Sequence, residues 1–233
     1  MADAAFADFS IAIEADSNYA QAYYYRGVLN FQKKNYERAL KDFSSAIRIK
    51  SDYAYAYNDR GSAKLMMDKP EEAQADYVMA NKLNSNMAFT HNNLGSVLKK
   101  LNKIKEAIAE YSLSVTIKPD YVLAFNNRGN AYFDNGEYDK AIADFSAAIK
   151  LNPNYAYAYN NRANAKYKLK DYDGSLADYN KAIELNPDYG YAYLNRGITY
   201  EMLRKESNSC SDWKKAASLG ITTADSYVKL QCK

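Results

Sequence analysis

The sequence predicts an all-α chain built as a solenoid of stacked antiparallel helix pairs, and three observations carry that prediction. The first is a period of 34. Small residues recur at Gly27, Gly61, Gly95, Gly129, Ala163 and Gly197, with a ring or the lone histidine four places earlier, at Tyr23, Tyr57, His91, Phe125, Tyr159 and Tyr193. Twelve places after each small residue comes another, at Ala39, Ala73, Ala107, Ala141, Ser175 and Ser209. Four places further on stands a ring every time: Phe43, Tyr77, Tyr111, Phe145, Tyr179 and Trp213. Six copies in register, without an insertion, mark a repeat architecture.

The second observation is helical spacing. From Gln21 to Gln32, and again from Tyr36 to Ile49, rings and small residues fall on one face. The third is punctuation. Lys33-Lys34-Asn35 and Asp134-Asn135-Gly136 are short polar turns, and Pro70 stands at a first-turn position that tolerates proline. Pro153 and Pro187, each following Leu-Asn, end a helix, because proline cannot continue one. Small residues let two helices approach and rings fill the space beside them. One such pair cannot bury its apolar face alone, so the pairs must stack.

This small–large spacing resembles the tetratricopeptide-repeat (TPR) family over essentially the whole chain, in an Asn-Arg-Gly subclass. The resemblance implies a right-handed superhelix whose first helices line a concave, ligand-holding face. The units run over residues 20–53, 54–87, 88–121, 122–155, 156–189 and 190–221. Residues 1–19 match only a second helix, with Ala5, Phe9, Ala12 and Ser17 in the repeating places, so the chain is expected to begin partway through a unit. Residues 222–233 read as an amphipathic capping helix from Thr222 to Gln231, with Ala224, Tyr227, Val228 and Leu230 candidates for its inward side. Tyrosine is used 24 times, far beyond need for a single site. Those at 19, 53, 121, 155 and 189, beside unit boundaries, are expected to pack.

Composition excludes several functions. Lys plus Arg is 31 and Asp plus Glu 28, so the chain lacks the concentrated basic footprint of a nucleic-acid binder or a polybasic membrane anchor. No apolar run approaches the roughly 20 residues of a membrane span. The first residues lack the basic and apolar regions of a secretory signal, which favours the cytoplasm and leaves export open. No Cys/His cluster has metal-ligand spacing, no glycine-rich phosphate loop occurs, and no Ser/His/Asp arrangement is visible. The reading is therefore non-enzymatic, with no metal and no cofactor. His91, in a ring position, is expected to be a packed residue. Cys210 and Cys232 lie on helices that should touch, which suits either a disulfide or two thiols.

Two sets of polar residues remain. Before the small residue stand Arg26, Arg60, Leu94, Arg128, Arg162 and Arg196, and before the second-helix ring stand Asp42, Asp76, Glu110, Asp144, Asp178 and Asp212. The unit that loses its arginine also loses its aspartate, which predicts a bidentate pair within each unit. The second set lies on the first helices: Asn58, Asn92, Asn93, Asn126, Asn127, Asn160, Asn161 and Asn195, with Asn130 and Asn164 a turn later. Spacing of three to four residues gives them a common face. A carboxamide both donates and accepts, so such a column can grip an extended peptide backbone. It resembles the asparagine ladder of the O-GlcNAc transferase TPR superhelix. Tyr55, Phe89, Tyr157 and Tyr191 would add adaptable ring contacts, and Lys99 could meet an acidic group. The plain alternative is that these residues are merely solvated.

The lysine clamp by which some TPR proteins hold acidic chaperone tails does not fit, because its basic places hold Tyr24, Phe89 and Asn93. A protein or peptide partner is thus expected. The alternatives are a self-associating module, pairing as a homodimer through the truncated N-terminal end, and a substrate-recruiting arm of a larger enzyme.

Overall fold

The computed structural model describes residues 2–232 and contains fourteen α-helices and no strand among them. They form two compact units, residues 1–119 and 120–233. The first unit holds α1 (Ala2–Ala15), α2 (Ala20–Gln32), α3 (Tyr36–Ile49), α4 (Ala54–Met66), α5 (Pro70–Leu83), α6 (Ala88–Lys100) and α7 (Ile104–Ile117). The second holds α8 (Val122–Asp134), α9 (Tyr138–Leu151), α10 (Ala156–Lys168), α11 (Tyr172–Leu185), α12 (Gly190–Met202), α13 (Glu206–Ser218) and α14 (Thr222–Gln231). Within each unit consecutive helices pack as antiparallel pairs that stack in chain order, which is an α-solenoid.

The repeating sequence explains the repeating geometry. In each pair the second-helix ring lies over the small residue of the first helix. A Cβ added at Gly129 would sit 2.6 Å from the Phe145 ring, so hydrogen there lets the helices close. Phe43, Tyr77, Tyr111, Phe145, Tyr179 and Trp213 are all fully buried. The turn inside each pair places one residue in the left-handed region, at Lys34, Asp68, Asn102, Gly136, Lys170 and Arg204. Five of these carry side chains, although glycine is the residue that adopts this backbone without strain. Between pairs, the side chains of Asp16, Asn84, Asn152 and Asn186 accept from the backbone N–H two residues on, a local turn that ends the second helix.

At the C-terminal end α14 covers α13. Ala224 is buried, Tyr227 stacks on Trp213 with ring centroids 4.8 Å apart, and Cys210 and Cys232 are joined by a disulfide. Leu230 points outward instead, because the helix's buried strip is already filled by Ala224, Tyr227 and Val228. Tyr19 is also exposed, whereas Tyr53, Tyr121, Tyr155 and Tyr189 are half-buried at their boundaries. Among the described residues no helix is long and apolar enough to cross a membrane.

Candidate functional site

The five arginines and aspartates close as bidentate pairs, with shortest N···O distances of 2.7 Å: Arg26–Asp42, Arg60–Asp76, Arg128–Asp144, Arg162–Asp178 and Arg196–Asp212. Each guanidinium also lies over the ring four residues from the small one, at 5.3 to 5.6 Å. Further donors complete the carboxylates: Asn30 on Asp42, Lys64 on Asp76 and Lys166 on Asp178. Buried charges are tolerable only when satisfied in this way. The remaining guanidinium nitrogen reaches back to the preceding pair, from Arg26 to Ser10, Arg60 to Ser44, Arg162 to Ser146 and Arg196 to Asn180. In each of these four arginines, three of the five N–H donors are thus taken up inside the protein.

The third pair replaces this arrangement. With Leu94 in the arginine's place, the His91 Nδ1 lies 2.7 Å from Glu110 Oε2 and its Nε2 lies 3.1 Å from the Ser85 carbonyl oxygen. Both ring nitrogens face acceptors, and the hydrogen bond to Glu110 holds the imidazole above its ordinary pKa against the opposing effect of burial. His91 is buried, and Glu110 favours its protonated form, a role its ring position did not reveal.

On the first helices the asparagines divide into two classes. Asn58, Asn92, Asn126 and Asn160 are buried. Asn93, Asn127, Asn161 and Asn195, one residue later, are half-buried, as are Asn130 and Asn164. Successive helices join the two classes: Asn93 Nδ2 donates to Asn58 Oδ1 at 3.3 Å, Asn161 to Asn126 at 3.1 Å and Asn195 to Asn160 at 3.5 Å. Much of the asparagine column therefore links one repeat to the next. Asn58, Asn92, Asn126 and Asn160 were expected along the groove wall; burial removes them from direct reach of a guest.

The outward members keep capacity. Asn161 uses one of its two N–H donors, and Asn130 has no hydrogen-bond partner among the described residues. Tyr55, Tyr157 and Tyr191 are 48%, 52% and 58% exposed, with Phe89 half-buried against Tyr55. Lys99 is half-buried in the last turn of α6. In the C-terminal unit a cavity of about 250 Å³ opens beside this face, lined by Phe133, Asn164, Tyr167, Tyr179, Asn195 and Ile198. Asn164 is fixed there by the Tyr179 hydroxyl, which donates to its Oδ1 at 2.5 Å. Such a surface offers apolar contact together with oriented amides, and among the described residues no acidic, histidine or cysteine cluster could hold a metal ion.

Stacked helix pairs with a polar first-helix face define an α-solenoid of the kind that presents an extended binding surface. Tetratricopeptide-repeat models match residues 20–53 and 156–189, TPR repeat models match 95–136 and 129–170, and a further one matches 178–210, so the chain belongs to the tetratricopeptide-repeat family. Among solved structures it is similar to the APC/C hetero-tetramer Cut9-Hcn1 (TM-score 0.81, 16% identity), over 100% of this chain and 46% of that one. The chain therefore spans about half the length of that relative. It is also similar to YrrB, described as a TPR protein with an unusual peptide-binding site, at TM-score 0.68 and 26% identity over 79% of this chain and 95% of that one. Pseudomonas aeruginosa pilF matches at TM-score 0.73 and 21% identity, over 89% and 91% of the two chains. No curated protein sequence matches the chain. Proteins of this repeat family mediate protein–protein interaction.

Proposed function

We propose that the chain is a non-enzymatic interaction module that holds an extended peptide segment of a partner protein along its first helices. What carries the reading is the repetition, in each unit, of half-buried carboxamides beside exposed or half-buried rings: Asn93 with Tyr55 and Phe89 in the N-terminal unit, and Asn130, Asn161, Asn164 and Asn195 with Tyr157 and Tyr191 in the C-terminal one. Carboxamides match the donors and acceptors of a peptide backbone, and half-burial lowers the cost of ordering them. The similarity to YrrB, whose description names a peptide-binding site, supports the same reading.

The buried asparagines act at one remove, by orienting their outward neighbours. The test selects short random peptides displayed on phage against the whole chain and measures the winners by fluorescence anisotropy. Replacing Asn130 and Asn161 by Ala should weaken them about tenfold, the loss expected for two amide hydrogen bonds. Unchanged affinity for every selected peptide would remove the carboxamides from the binding surface.

A further inference from the structure

One rung between successive repeats is unlike the others. The carboxamide contacts 58–93, 126–161 and 160–195 each join residues 35 apart. Tyr24 and Asp59 have the same spacing, but here a phenol donates to a carboxylate at 2.8 Å. Asp59 takes the place that Asn93, Asn127, Asn161 and Asn195 hold in later repeats, and Tyr24 the place of Asn58. Two departures from the repeat thus meet at one contact. The second oxygen of Asp59 accepts from Asn58 Nδ2 at 2.8 Å, so the carboxylate is held from both sides.

This carboxylate has no counterion. No lysine or arginine pairs with it among the described residues, whereas every Asp of the arginine pairs has a cation. Burial raises its pKa, opposed by the hydrogen bonds from Tyr24 and Asn58. Two donors leave about two of its four acceptor sites open. Beside it lies a cavity of about 220 Å³, lined also by Val28, Phe31, Gln32, Phe43 and Ser62. An apolar recess with an unneutralised carboxylate on its wall suits a side chain with a long aliphatic stem and a cationic head.

The chain carries its own comparison four repeat periods later. The cavity in the C-terminal unit is formed by the equivalent places, with Asn164 for Val28, Tyr167 for Phe31, Tyr179 for Phe43 and Ile198 for Ser62. There Asn195 stands for Asp59 and Lys168 for Gln32. The recess recurs with its charge reversed.

We propose that the Asp59 recess is a specificity subsite for a lysine or arginine side chain of the bound peptide. This rests on the peptide-binding reading above and assigns the N-terminal unit a basic residue, where the equivalent recess of the C-terminal unit disfavours one. Tyr24 and Asn58 act as positioning residues for the carboxylate.

The experiment uses the whole chain and fluorescein-labelled peptide pools, random except for a fixed central Lys, Arg, Gln or Glu, read by fluorescence anisotropy at low and high salt. The Lys and Arg pools should bind about tenfold tighter than the Gln pool, with the Glu pool weakest and the preference shrinking as salt rises. Asp59→Asn, which installs the residue found in four later repeats, should erase the preference, so that the Lys and Gln pools bind alike. Gln32→Lys should erase it independently, by supplying the cation from within. Equal binding of the Lys and Gln pools to the unmodified chain rejects the subsite and leaves the groove standing. A preference that survives both substitutions rejects it too. Failure of all four pools to bind overturns the groove reading, and the subsite with it.

Discussion

The second and third helix pairs meet the same electrostatic demand by different means. In the second, Asp76 is 5% exposed in its side chain and is held by Arg60 and Lys64. In the third, the acid is one methylene longer and 23% exposed, and its partner is His91, which reaches it from the ring position. Leu94, at the arginine's place in the repeat, is buried. The need is for a satisfied charge at this point of the packing, and arginine is only one way to supply it. The two solutions differ in one respect that can be measured: a guanidinium does not titrate and an imidazole does.

The largest way to break the comparison is to remove an acid. Asp178→Ala leaves Arg162 and Lys166 facing each other in a buried site and should cost about 3–5 kcal/mol. Glu110→Ala removes a more exposed acid from a cation that can lose its proton, so it should cost less, about 1.5–3 kcal/mol. Urea unfolding of both variants orders them; equal losses would mean that the histidine pair is as strongly committed as the arginine pairs.

A pH series sharpens the contrast. The folded His91 binds its proton more tightly than the unfolded chain, where the ordinary value is 6.5. Its contribution is therefore complete below about pH 6.5 and is lost as pH rises through the folded pKa. The stability difference between the unmodified chain and His91→Tyr, which carries the ring of four other repeats, should fall from neutral toward alkaline pH. A flat difference would mean that the proton on His91 does not matter to the fold.

The smallest effect concerns the turns. Lys170 holds φ +64° where the preceding repeat has Gly136 at +79°. Lys170→Gly should raise stability by about 0.5–1 kcal/mol, detectable as a higher Tm, because relief of left-handed strain exceeds the added freedom of the unfolded chain. A lower Tm would show that the lysine is comfortable there.

The fold was legible in the sequence because its signal is local and repeated: ring, small residue and turn recur at a fixed spacing, and Leu94 with Glu110 even disclosed which residues pair. The site was less so. Periodicity puts Asn126 and Asn127 on neighbouring parts of one helix, but which is buried depends on how the next pair lies over it, a relation no spacing within a helix contains. For the same reason the reach of Arg162 back to Ser146 and the contact of Tyr24 with Asp59 went unseen. The ring position of His91 speaks only of packing, and it is the approach of Glu110 and Ser85 that favours its protonated form. Asp59 carried a readable signal, a lone acid in a column of amides, whose meaning needed the recess beside it.

Because the guanidiniums of Arg26, Arg60, Arg162 and Arg196 each grip their own pair and the one before, they act as nearest-neighbour couplings in a linear array. Melting that starts in one pair loosens a neighbour's anchor and passes along the stack as a front. Leu94 has no donor to reach backward, and the junction between the second and third pairs is linked instead by Asn93 to Asn58, Asn81 to His91, Lys100 to Asp68 and Lys103 to Gln74. At that junction the front crosses through exposed lysines and amides in place of a guanidinium.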